Sequence, residues 1–137
     1  MERISLQSDT PSYLKVSEIQ EELLDFTDVL ETKYNTVDFE FAFCFRVLYS
    51  IEGIKSKARF YKIENWLGLD LIMPESEFKP YKKDIEMQRK IMGKYFYPFF
   101  VETIRKYAKK LPTLKPVSEN LIKDMELFLI EKKWMED

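Results

Sequence analysis

Phe39, Phe41, Phe43 and Phe45 recur at every second residue. That is the period of a β-strand, and it places four rings on one face that must be covered. The spacing predicts a strand over 38–49, with Glu40, Ala42, Cys44 and Arg46 on its other face. Two more strands are expected, over 58–63 and 66–73. In the third, Leu67, Leu69, Leu71 and Met73 form one row and Trp66, Gly68, Asp70 and Ile72 the other. Glu52-Gly53 and Glu64-Asn65 supply turns. Short turns between three strands predict an antiparallel meander.

Around these strands the period changes to that of a helix. Residues 1–11 read as irregular. Ser17 and Gln20 have the spacing of a capping box, and a helix is expected over 18–33. Ile19, Leu23, Phe26 and Leu30 form its apolar stripe. After Pro74 and a connector, Pro80 suits a first helical position, and a long aromatic helix is expected from there to about Lys110. Pro98 lies inside it and predicts a kink or break near 94–98. A last helix is expected over 119–134, with Leu121, Met125, Phe128 and Leu129 facing inward. Ser118 is its expected cap. The element order is α-β-β-β-α-α. The helices carry apolar stripes that match the apolar sheet face, so the reading is a two-layer α+β domain: a three-stranded antiparallel meander covered by helices.

Composition narrows the chemistry more than the fold. The chain has 137 residues, 45% hydrophobic and 34% charged, with a single cysteine and no histidine. That length suits one α+β domain over 1–137. Without histidine there is no Ser-His-Asp or Cys-His machinery, and a structural zinc site lacks ligands. No glycine pattern cradles a phosphate. A non-catalytic protein with no metal and no cofactor is the expectation. No apolar run is long enough to span a bilayer. The first residues show no basic flank followed by an apolar segment, and a cytoplasmic location is expected. The net charge is −2, but residues 1–40 hold ten acids against three bases, and residues 41–137 hold nineteen bases against fourteen acids.

The acidic half concentrates on one helix. Glu18, Glu21, Asp25 and Asp28 step by three and four residues, with Glu22 beside them, and form a stripe displaced from the apolar one. Such a face suits a basic protein surface. Acids in a first turn also stabilise the helix dipole with no partner at all. Trp66 and Tyr97 are the aromatic residues expected at an interface, because such side chains anchor binding. The partner-binding expectation is therefore Glu18, Glu21, Glu22, Asp25, Asp28, Trp66 and Tyr97. Arg105, Lys106, Lys109, Lys110 and Lys115 crowd a helix end, where the dipole favours cations. Asp70, with Glu40 or Glu64, is the carboxylate set an enzyme would need, although no spacing makes it specific.

The run Leu67-Gly68-Leu69-Asp70-Leu71-Ile72-Met73-Pro74, then Lys82-Lys83-Asp84, Gln88-Arg89-Lys90-Ile91-Met92-Gly93-Lys94 and Phe99-Phe100, resembles small bacterial immunity proteins of polymorphic-toxin systems. The resemblance implies a binder that neutralises a cognate toxin domain by direct contact. The alternative is a nucleic-acid-binding module. The α-β-β-β-α order is similar to that of the double-stranded-RNA-binding domain, whose last helix begins with phosphate-binding lysines. Lys79, Lys82 and Lys83 stand roughly there, but the family's glycines are missing, and the net acidity makes nucleic acid the less expected partner.

Overall fold

The computed structural model describes residues 4–9, 17–34, 36–37, 39–50, 55–81 and 83–136. Its elements run β1 (Ile4–Asp9), α1 (Ser17–Lys33), β2 (Ala42–Ser50), β3 (Lys57–Tyr61), β4 (Trp66–Pro74), α2 (Glu75–Phe78), α3 (Ile85–Ala108) and α4 (Ser118–Glu131). Short 3-10 turns occupy Lys79–Tyr81 and Lys115–Val117. The α+β class holds.

The sheet departs from the expected meander. It has four strands in the order β1-β2-β4-β3. β1 pairs with β2 in parallel, and β2 with β4 in parallel; the β3–β4 pair alone is antiparallel. The segment read as irregular therefore contains a strand, and β1-α1-β2 is a parallel crossover of the kind that needs an intervening helix. β4 lies between β2 and β3, so the chain after β2 passes the position of β4 before pairing with it. The Glu64-Asn65 turn signal falls between β3 and β4, but turn signals carry no information about which strands become neighbours. The expected turn at Glu52-Gly53 and the Asp38 strand start lie outside the described residues.

The phenylalanine row is broken where a strict alternation would continue it. β2 begins at Ala42, and Glu40 has φ 62°, a left-handed conformation that side chains rarely adopt. Neighbours hold this turn. The Asn65 side chain donates to the Glu40 carbonyl, Thr113 donates to the Phe39 carbonyl, and Ala42 N–H donates to the Asn65 carbonyl at 3.1 Å. All four rings still reach the core. Phe39, Phe43 and Phe45 are buried, and Phe41 packs against them, with ring centroids 5.0 Å from Phe43.

The expected row Leu67, Leu69, Leu71 and Met73 is buried on the same face. The helices cover that face, and Phe26 of α1 is the point where the layers meet. Its ring contacts Phe45 of β2, Phe96 and Phe100 of α3, and Phe128 of α4, at 5.4–6.1 Å between centroids. No helix lies over the opposite sheet face among the described residues.

Two helix boundaries also differ from expectation. α3 begins at Ile85 rather than near Pro80, because the Asp84 side chain accepts from Met87 N–H at 3.2 Å and caps it there. The helix then runs unbroken through Pro98. Proline costs a helix about 3 kcal/mol, and the burial of Ile91, Met92, Phe96, Phe100 and Ile104 along this helix outweighs it. α4 ends at Glu131, and Lys133 at φ 64° turns the chain so that Trp134 packs inward, 1% exposed.

Candidate partner-binding surface

α1 lies antiparallel to α4. Asp25 pairs with Lys132 at 3.4 Å and Lys33 with Asp124 at 2.6 Å. Tyr34, one residue past the helix, donates its hydroxyl to Asp124 at 2.5 Å. Burial raises the Tyr34 pKa well above the ordinary tyrosine value, and the Asp124 hydrogen bond and charge add to this. A raised folded pKa means that the fold holds the proton. The contribution is complete below about pH 10, the unfolded value, and is lost as pH rises through the folded value. Tyr34→Phe is expected to cost about 1 kcal/mol at neutral pH and to flatten the loss of stability above pH 10, read by denaturant melts across pH. An unchanged alkaline limb would assign that loss to other groups.

The face of α1 that carries Asp25 is also open to solvent. Glu21, Asp25 and Asp28 are exposed, at the three- and four-residue steps that bring them to one face. Val29 stands beside them with 44% of its surface exposed. Glu18 belongs to the first turn of this helix, and its side chain lies outside the described residues. Glu22 is committed within the chain. It accepts from Arg89 of α3 at 2.9 Å and from the indole N–H of Trp134 at 2.7 Å, so it ties α1 to α3 and to the C-terminal segment.

The two expected aromatic anchors lie elsewhere, and apart from each other. Tyr97 is half-buried and donates to Glu126 of α4 at 3.3 Å. Burial raises its pKa, and the Glu126 carboxylate adds to the effect while Arg105 opposes it. It borders a shallow groove of about 390 Å³ between α3 and the C-terminal segment, together with Lys90, Lys94 and Trp134. Trp66 is on the sheet face that no described helix covers. Its ring stacks on Tyr61 at 3.9 Å, and Arg59 lies 5.1 Å from the centre of the Tyr61 ring. Gly68 makes room for both rings: a Cβ there would sit 2.6 Å from the Trp66 ring and 3.2 Å from Tyr61. The acids of α1 and Trp66 thus occupy opposite layers.

The other sequence candidates fare differently. Lys79 and Lys83 are exposed, and Lys82 lies outside the described residues. The helix after them starts with the Asp84 carboxylate on its amides, where a phosphate-binding module would place the phosphate. Asp70 is half-buried, opposite Arg46 in one register and Lys57 in the other. Glu40 and Glu64 sit at the far end of the hairpin, exposed, so the three carboxylates do not share a cleft. Among the described residues no cluster of His, Cys, Asp or Glu is placed to hold a metal ion. No described helix is long and apolar enough to cross a membrane.

Sequence reading missed one grouping. Tyr107 of α3 donates to the Ala58 carbonyl of β3 at 3.3 Å, which brings the cationic end of α3 to the edge of a cationic strand. The alternation of Lys57, Arg59 and Tyr61 was the only local signal.

No curated protein and no solved structure matches the chain. A family model described as Immunity protein 44 matches residues 2–131, nearly its whole length, and the chain belongs to that family.

Proposed function

We propose that this protein is a non-catalytic inhibitor that neutralises a cognate bacterial toxin by direct binding. The family match over residues 2–131 carries the reading. The absence of histidine from the sequence agrees with it, as does the scattering of Asp70, Glu40 and Glu64. The proposed contact is the solvent face of α1. Glu21, Asp25 and Asp28 supply charge to meet a basic toxin surface, and the exposed Val29 supplies an apolar contact among them. Glu22 serves the fold by holding Arg89 and Trp134, and contributes to the contact through the placement of α1.

The test is co-expression with the C-terminal domain of the toxin expected in the neighbouring reading frame. Wild-type chain is expected to protect the host. Glu21→Lys, Asp25→Lys and Asp28→Lys together are expected to abolish protection and to weaken binding of the purified domain by at least about 30-fold, the scale on which charged interface pairs act. The variant should lose only about 1 kcal/mol of stability, since all three positions are exposed and the Asp25–Lys132 bridge that it breaks is a surface pair, of a kind worth about 0–1 kcal/mol. Full protection by the variant would remove α1 from the interface. No protection by the wild-type chain would remove the function.

A further inference from the structure

The sheet face over which no described helix lies ends in a surface of the opposite charge. Residues 55–62 read Lys-Ser-Lys-Ala-Arg-Phe-Tyr-Lys, four cations with no acid, and Lys55, Lys57, Arg59 and Lys62 are all exposed. β3 is an edge strand. Beside its outer edge stands Tyr107, hydrogen-bonded to the Ala58 carbonyl. The Lys106 and Lys110 ammonium groups lie 5.7 and 5.6 Å from the centre of its ring. Two cationic segments almost fifty residues apart in sequence therefore form one surface that wraps the β3 edge.

That surface also has an apolar and aromatic centre. Tyr61 and Trp66 stack on each other over Gly68, Arg59 flanks Tyr61, and Ile63 at the tip of the hairpin is 95% exposed. Tyrosine, tryptophan and arginine are the side chains that dominate protein-interface energetics. A side chain at Gly68 would displace the rings, so the platform exists because that position is glycine.

We infer that the β3 edge, centred on Arg59, Tyr61 and Trp66 and rimmed by Lys57, Lys106 and Lys110, is a second protein-docking surface, one that takes a carboxylate-rich partner segment. The choice of a protein follows from three observations. The Tyr61 and Trp66 rings are spent on each other rather than presented singly for bases to stack on. Ile63 gives an apolar contact that a phosphate backbone would not use. The third, membership of the Immunity protein 44 family, counts only through the proposed function, in which the target is a protein. The centre of the surface is on the sheet face away from α1, and its α3 rim adjoins β3, the sheet edge opposite the β1 edge that α1 contacts; a standard interface covers only about 800 Å² per partner, so the surface is separate from the α1 contact.

Amide-shift mapping of the intact chain by NMR during titration with poly-L-glutamate at low salt tests this. The expected result is a saturable, salt-sensitive shift confined to residues 57–66 and 106–110. Lys57→Glu with Arg59→Glu should weaken it roughly 10–30-fold. Lys90→Glu with Lys94→Glu, the same change in charge at the α3 groove, should leave it unaltered. Arg59→Ala alone, which reverses no charge, should weaken it in the same direction and covers the case in which the double variant does not fold. Shifts spread evenly over all lysine-bearing surfaces, equal weakening by the two double variants, or tighter binding of an RNA duplex than of poly-L-glutamate would each overturn the inference. Toxin protection is read separately, so failure of the α1 contact leaves this result standing, and failure here leaves the α1 contact standing.

Discussion

Phe26→Ala is expected to destabilise the fold by about 3–5 kcal/mol, the range for removing a buried aromatic side chain. The upper part of that range is the better expectation, because the cavity would open between layers rather than at one contact. Phe26 is 2% exposed, and its ring meets Phe45 of β2, Phe96 and Phe100 of α3, and Phe128 of α4. Three of these contacts are edge-on, with interplanar angles of 79–86°, a geometry worth about 0.5–1.5 kcal/mol per pair beyond the buried area. The neighbours cannot readily collapse into the gap. Phe45, Phe96 and Phe100 stack on one another at 6.1–6.4 Å and hold their own positions. Urea unfolding followed by far-UV circular dichroism measures the loss. A cost below about 1.5 kcal/mol, the scale of a conservative core swap, would mean that Phe26 does not join the layers.

Gly93→Ala should be damaging although it replaces glycine by the best helix former. In an exposed helix the change would stabilise by about 1 kcal/mol. Here a Cβ at position 93 would lie 1.9 Å from the Trp134 carbonyl oxygen and 2.7 Å from its carbonyl carbon. Those are backbone atoms, so no rotamer change relieves the clash. The C-terminal segment must move away from α3. Trp134 would then lose its edge-on contact with Phe96 at 6.0 Å and its bond to Glu22 at 2.7 Å, and Glu22 would keep only its bridge to Arg89. A cost of about 3 kcal/mol is expected, between overpacking and the loss of a buried tryptophan. The mechanism is tested by a cycle with a chain truncated after Glu131. In that background Gly93→Ala should become neutral or stabilising, and the two changes should be strongly non-additive. The same cost in both backgrounds would assign the effect to the helix itself.

Much of the helical layer was legible because its signals are local. The four- and three-residue steps of Phe26 and Leu30 in α1, and of Leu121, Met125, Phe128 and Leu129 in α4, mark faces that are buried. The alternation of Leu67, Leu69, Leu71 and Met73 likewise named the core row of β4. The likeness of the stretch from Leu67 through Phe100 to small immunity proteins agrees with the family match over residues 2–131. What escaped were relations between distant segments. Strand order depends on which edges meet, so β1 and the parallel pairing of β2 with β4 had no mark in any single window. Glu40 stands inside a perfect alternation, yet side chains from 65 and 113 hold the turn in which it departs from strand geometry. Pro98 predicted an interruption that the packing of Phe96 and Phe100 overrides.

The candidate site divides along the same line. Helical spacing alone placed Glu21, Asp25 and Asp28 together on solvent. It could not show that Glu22 is drawn inward by Arg89 and Trp134, whose positions lie 67 and 112 residues away. Trp66 stands out as an anchor in the sequence by its residue type alone. Its stacking on Tyr61, the gap left by Gly68 and the cationic rim from α3 depend on the strand pairing and on Tyr107.

The central claim is that the protein acts by binding a toxin through α1, and hydrogen exchange of the intact chain with and without the purified toxin domain tests it most directly. Protection is expected over residues 21–32, with a 1:1 complex that the triple reversal of Glu21, Asp25 and Asp28 disrupts. A stable complex that leaves α1 unprotected would contradict the assigned surface, and the absence of any complex between chain and toxin would contradict the function.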